Sequence, residues 1–250
     1  MNAVPVPAPT TDTTMQVFDP ATSRRVFRIA LPDLTPSLFP RLMARVRRES
    51  PGASVEWVTR TRETMLALSE GQIDIALLPS AMPLQEGLQR EEVGALKWAT
   101  FARLDHPAAA DWGAGAWARW PHVVVSASER MASPVSTAAG NDRRRTVGAR
   151  VPQFSAVAPL LAHTDLLATL PIVVMHEDIE RFGLCALPAP IPLPPMPHCF
   201  VWSQRLGNDP ALRWIREHLR EVFNEVLYAA DKLVPHATGR TRSGRPRKKN

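Results

Sequence analysis

Apolar residues along this chain recur with two different periods, and the alternation between them lays out a repeated strand–helix order. The run VFRIAL at 26–31 is β-branched and apolar enough for a buried strand. Past Asp33, Thr35 stands as an N-cap with Pro36 at the first helical position. Leu38, Phe39, Leu42, Met43 and Val46 then share one face, and Arg41, Arg45 and Arg48 another. That spacing predicts an amphipathic helix, stopped by Ser50-Pro51-Gly52. A second strand is expected at 54–58, a second helix at 61–71 between Thr61 as cap and Gly71 as stop, and a third strand at 74–78. Strand, helix, strand, helix, strand is the order of a parallel α/β sheet.

Residues 79–92 read as a loop, and 96–103 (LKWATFAR) as a strand crossing into a second lobe. There the pattern predicts a short helix at 112–120, a strand at 122–126, irregular chain at 127–143 and a strand at 145–151. A helix at 152–163, a strand at 165–170 and a helix at 171–182 follow. Six prolines between 188 and 197 read either as a stiff extended connector or as a ligand for a proline-reading module. Residues 198–203 (HCFVWS) return to the first lobe, and Asn208-Asp209-Pro210 caps a last long helix reaching about Ala230. No repeat of 20–50 residues is visible in the linear sequence.

Four segments resemble LysR-type transcriptional regulators, in particular the nodulation and aromatic-catabolism subgroup. They are FDPATSRRVFRIALPDLTPSLFPRL at 18–42, ALSEGQIDIALLP at 67–79, VPQFSAVAPLLAHTDLLATLP at 151–171 and WSQRLGNDPALRWIREHL at 202–219. The resemblance implies an α/β fold of two Rossmann-like lobes joined by two crossing strands, like type 2 periplasmic binding proteins, with an effector in the cleft between them. The implied lobes are 26–100 plus 204–230, and 101–203, flanked by a disordered leader at 1–25 and a basic disordered tail at 231–250. It also implies a homodimer, in which the effector shifts the balance between two lobe arrangements. Only 25 residues precede the first strand, too few for the family's winged helix-turn-helix. The expectation is a sensor without its DNA reader, either truncated or stand-alone, with no sequence-specific DNA binding of its own.

In open α/β sheets, ligands sit beyond the carboxyl ends of strands and beside helix starts. The junctions 33–36, 59–61 and 151–155 fit that description, and in LysR-type regulators the matching junctions line the effector pocket. The resemblance thus places Asp33, Leu34, Thr35 and Thr61 on one wall and Pro152, Gln153 and Phe154 on the other, with Thr100 at the floor. Helix starts offer free N–H groups that suit a carboxylate. The other reading is that Asp33, Thr35 and Thr61 only cap helices and that Phe154 belongs to the core. Asp33 would repel an anionic effector unless its carboxylate is paired or turned away.

Composition changes this picture little. The chain of 250 residues is 45% hydrophobic and 22% charged, which suits a globular protein and contains no apolar run of membrane-spanning length. Its opening lacks the basic and apolar regions of a secretory signal, so a cytoplasmic location is expected. The two cysteines, Cys185 and Cys199, lack metal-ligand spacing and read as buried, reduced thiols. No nucleophile elbow, zinc-protease motif, phosphate loop or paired-cysteine motif is present, so no catalytic residue, metal or cofactor is expected. The rival readings are a cytoplasmic solute-binding protein of the same fold and an enzyme built on it.

The net charge of +6 resides in the tail, where 240–250 carry six basic side chains and no acid, while the remaining 24 basic residues equal the acidic ones. Arg245, Arg247, Lys248 and Lys249 lie in a stretch that resembles an AT-hook core, a candidate for weak nucleic-acid contact. A solvated terminal extension is the alternative.

Overall fold

The structure, a computed structural model, describes residues 18–33, 37–125, 134–139 and 145–233. In chain order, β1 (Val26–Leu31), α1 (Leu38–Glu49), β2 (Ser54–Thr59), α2 (Thr64–Ser69) and β3 (Ile75–Pro79) open the first lobe. β4 (Leu88–Leu96) completes that stretch, and β5 (Trp98–Arg103) begins the second sheet after Lys97 alone. α3 (Ala114–Arg119), β6 (His122–Val125), α4 (Pro134–Ala139), β7 (Val147–Val151), α5 (Val157–Ala162) and β8 (Ala168–Pro171) build the second lobe. The short helices α6 (Ile172–Met175) and α7 (Asp178–Arg181) lead to β9 (Leu184–Leu187). The chain then returns as β10 (Met196–Ser203) and ends its described part in α8 (Pro210–Asp231).

The first sheet has the order β2-β1-β3-β10-β4, with β10 antiparallel to both neighbours and β1 parallel to β2 and β3. In the second lobe β8-β5-β9 form one ladder set and β6-β7 a parallel pair, tied together by a parallel bridge from His122 to Leu167. The spatial order β7-β6-β8-β5-β9 therefore repeats the plan of the first sheet, and its antiparallel member is β5. Each antiparallel strand is the one that has just crossed from the other lobe. This is the two-lobed architecture that the resemblance implies, and its internal repeat is topological.

Local chemistry explains most elements. In α1, Leu38, Leu42 and Val46 are buried, while Arg45 on the same helix reaches Glu221 and Glu225 of α8. Asp209 caps α8 by accepting from the backbone N–H of Ala211 (2.9 Å) and Leu212 (3.3 Å). Its other oxygen pairs with Arg25, which also bonds Asp74 at 3.3 Å, so one guanidinium ties the starts of β1, β3 and α8. One hydrophobic cluster runs through both lobes, from Phe27, Ile29 and Leu42 through Phe101 and Val157 to Ile215, Leu219 and Phe223. Cys199 is buried and Cys185 half-buried, and both are free thiols.

Four features differ from the sequence pattern. The loop expected at 79–92 gives way to β4 from Leu88, because only Leu88, Val93 and Leu96 of that edge strand are buried. Its run Gln89-Arg90-Glu91-Glu92 looks like loop composition yet hydrogen-bonds along β10. The helix expected at 171–182 is broken into α6 and α7, and β9 follows it unforeseen. α4 forms inside a stretch expected to be irregular.

The ladder of β4 and β10 slips between His198 and Cys199, opposite Gly94, whose φ is +140. A β-carbon there would meet Cδ1 of Leu227 at 2.5 Å. Gly94→Ala should therefore destabilise the protein by about 1–3 kcal/mol through backbone strain and overpacking, read as a lower urea midpoint at unchanged slope.

A buried polar chain organises the second lobe. The indole Nε1 of Trp117 donates to Thr169 Oγ1 at 2.9 Å, Thr169 meets Thr100 at 2.9 Å, and His122 Nε2 donates to the Trp117 carbonyl at 2.7 Å. Burial pushes the His122 imidazole down from 6.5 to about 4, against the pull of the Trp117 carbonyl and with a further push from Arg145. Between those two pH values the unfolded chain binds a proton that the folded one refuses. Stability should thus fall as pH drops from about 6.5 to about 4, by roughly 3 kcal/mol from this residue at the acid end. Urea midpoints across that range should show the decline, and His122→Phe should flatten it.

Candidate functional site

Both sheets present the carboxyl ends of their parallel strands to the space between the lobes. β1, β2 and β3 end at Leu31, Thr59 and Pro79; β6, β7 and β8 end at Val125, Val151 and Pro171. The lobes meet there through Asp33, just past β1. Its Oδ2 accepts from the backbone N–H of Ser155 at 3.2 Å and from the Ser155 hydroxyl at 3.1 Å. Ser155 lies in the single 3-10 turn Phe154–Ala156 that leads into α5. A carboxylate of the first lobe thus fills the helix start of the second, which removes the repulsion an unpaired Asp33 would exert.

Beside this contact lies a half-open cavity of about 630 Å³, lined in part by Asp33, Ser37, Arg41, Ser155 and His176. Arg41 of α1 bonds Glu177, which precedes α7, at 3.0 Å, a second polar link between the lobes. Two lining groups lack a hydrogen-bond partner among the described residues: the Ser37 hydroxyl and Nε2 of His176, which lies 3.7 Å from Glu177 Oε1 while its Nδ1 donates to the Val173 carbonyl at 2.9 Å. No set of three or more His, Cys, Asp or Glu among the described residues is arranged to hold a metal ion.

The other residues singled out from sequence fall in varied places. Leu34 and Thr35 lie outside the described residues, as do Arg245, Arg247, Lys248 and Lys249. Thr61 is exposed and makes a local turn, its hydroxyl accepting from Glu63 N–H at 3.3 Å while its own N–H donates to the Thr64 hydroxyl. α2 therefore starts at Thr64, three residues later than expected. Pro152 and Gln153 are exposed, and Phe154 is half-buried against the main core. Thr100 is fully buried with its hydroxyl already engaged by Thr169, inside the second lobe.

Two residues at the first sheet's carboxyl edge escaped the sequence reading. Arg60 follows β2, and its Nη1 is enclosed without a hydrogen-bond partner among the described residues. Burial lowers its pKa, with no acid acting the other way. His198, near the start of β10, stands opposite Pro79 at the end of β3 and is 1% exposed. Burial lowers its imidazole pKa as well; the Met196 carbonyl opposes this and the nearby Arg60 charge adds to it. Arg60 sits inside a junction already marked as ligand-facing, so its type and place were a usable signal. His198 gave none, because only antiparallel pairing brings the first residues of β10 to the same edge as the last residues of β3.

Comparison with known proteins gives this geometry a lineage. Residues 20–224 match the LysR substrate binding domain family. The chain is 32% identical over 214 residues to the HTH-type transcriptional activator NahR of Pseudomonas putida, covering 83% of this chain and 70% of that protein. It is 29% identical to nodulation protein D 2 of Bradyrhizobium diazoefficiens, covering 81% of this chain and 62% of that one. Among solved structures, the regulatory domain of MexT, a transcriptional activator in Pseudomonas aeruginosa, superposes with a TM-score of 0.70 at 29% identity. That match covers 81% of this chain and all of the MexT domain. The chain belongs to the LysR substrate-binding domain family, whose members similar to it are transcriptional regulators.

Proposed function

We propose that this chain senses a small organic effector, aromatic or carboxylic, in the cleft between its lobes. The observation that carries this reading is the contact from Asp33 to Ser155 beside an inter-lobe cavity. The polar bonds that face the gap are exposed and worth little net, so they can be made or broken at low cost, while a shared apolar core joins the lobes behind them. An effector that favours one arrangement shifts the population toward it, by its difference in affinity between the two. The Asp33 and Arg41 contacts are the ones such a shift would make or break. Pro152, Gln153 and Phe154 line the second-lobe wall in this reading, and Thr61 lies at the rim of the first. Leu34 and Thr35 adjoin Asp33 in sequence and lie outside the described residues.

In this reading the output is a homodimer in the cytoplasm that passes the lobe arrangement to a DNA-binding domain, and the protein acts by binding rather than catalysis. No helix among the described residues is long and apolar enough to cross a membrane. Arg245, Arg247, Lys248 and Lys249 add at most weak, salt-sensitive phosphate contact.

Thermal unfolding of the full chain against a panel of small aromatic and aliphatic acids, amides and alcohols tests the reading. An effector at 100 times its Kd should raise stability by about 2.7 kcal/mol. A folded protein that no member stabilises contradicts it. Sedimentation at tens of micromolar should give twice the 27.6 kDa chain mass. A monomer at that concentration would count against signalling through a dimer.

A further inference from the structure

The two links between the lobes differ in length. Leu96 pairs with Met196 in the first sheet and Thr100 pairs with Leu187 in the second, so three residues make one link and eight the other. Fully extended, the first reaches about 14 Å and the second about 31 Å. The short link is held at its centre as well: the Lys97 carbonyl accepts from Ile172 N–H at 2.8 Å, and its ammonium meets Asp231 of α8 at 2.7 Å. The long link, 188–195, has slack, and a slack chain by itself restrains nothing.

Prolines at 188, 190, 192, 194 and 195 leave that link few N–H donors with which to join either sheet. Its carbonyls meet two indoles instead. Trp112 Nε1 donates to the Pro188 carbonyl at 2.8 Å, and Trp98 Nε1 to the Pro194 carbonyl at 3.0 Å. Between these bonds Ile191 is buried in a satellite cluster with Trp117, Val135 and Ala139, and Leu193, Trp98 and Trp112 pack against it. Aromatic grooves read proline-rich peptides in this way, and here groove and peptide belong to one chain.

The two bonds do different work. Pro188 directly follows β9, so its bond to Trp112 seats the link on the second lobe, where it already belongs. Trp98 opens β5 and Pro194 lies two residues before β10, so their bond ties one crossing to the other. A hinge of one strand can twist as well as bend, whereas two tied strands bend about the line through both.

We propose that Trp98 clasps the proline-rich link to the short crossing and so turns a slack loop into the second strand of a hinge. Whatever lobe movement the shared core permits is then confined to bending, which makes or breaks the contact of Asp33 with Ser155.

The test is hydrogen–deuterium exchange of the full chain, followed at Ser155, whose backbone N–H donates to Asp33 across the gap. Trp98→Phe keeps an aromatic ring and removes the donor. It should speed exchange at Ser155 by about two- to tenfold, the net worth of one hydrogen bond, while β1 and β3 keep their wild-type rates. Trp98→Ala should be at least as fast there, and Trp112→Phe should leave Ser155 as in the wild type. The clasp is overturned if Ser155 in Trp98→Phe exchanges at the wild-type rate. In that case an acceleration seen in Trp98→Ala alone would assign the hinge to packing and not to the bond. It is equally overturned if β1 and β3 accelerate in step with Ser155, which is general destabilisation, or if Trp112→Phe acts as strongly as Trp98→Phe.

Discussion

Every other feature of this protein depends on one exchange of backbone hydrogen bonds. The first sheet would end at β3 without β10, and the ladders of the second sheet require β5 between β8 and β9. Each of these central strands enters from the other lobe, so neither sheet can satisfy its interior N–H and C=O groups alone. The crossings are short on one side, where Lys97 alone separates β4 from β5, and proline-rich on the other. Such links hold the two carboxyl edges opposite each other while leaving the gap between them open.

Polar atoms pair through much of the interior, as in the chain from His122 through Trp117 and Thr169 to Thr100. Exceptions occur in both lobes: among the described residues the Ser37 hydroxyl, His176 Nε2, His198 Nε2 and Arg60 Nη1 are enclosed without hydrogen-bond partners, and so are His122 Nδ1, Trp202 Nε1, Arg216 Nη1 and His218 Nδ1. Ser37 and His176 are the two of these that line the cavity between the lobes.

Hydrophobic packing supplies the rigidity against which those contacts act. α8 buries Leu212, Ile215, Leu219, Val222, Phe223 and Val226 against a core that continues into the second lobe. Its polar side is tied to α1 through Arg45 and to β4 through Arg220 and Glu91. By contrast, the links across the gap are solvent-facing bonds such as Arg41 to Glu177, with both side chains nearly half exposed. The lobes are thus joined by a shared apolar core, with weaker polar bonds at its solvent edge.

The linear sequence determined the elements whose burial pattern is complete within themselves. β1, α1, β2, β3 and α8 were legible because their apolar spacing is regular and Asp209 and Ser50-Pro51-Gly52 mark their limits. The strand-end junctions were legible too, and Asp33 was found through one of them. β4 and β9 were hidden because one is a charged edge strand and the other only four residues long, so each is a strand by virtue of its neighbour. The repeat of the two sheets was hidden for a related reason, since it is an order of strands in space with no matching order of residues. What only the tertiary structure decided is which polar groups are spent and which are free. Sequence alone marks Thr100 as a ligand-facing candidate and passes over Arg60. Folding pairs the Thr100 hydroxyl inside a dry core and encloses Nη1 of the half-buried Arg60 without a hydrogen-bond partner among the described residues, because desolvation is set by what surrounds a group and not by its place along the chain.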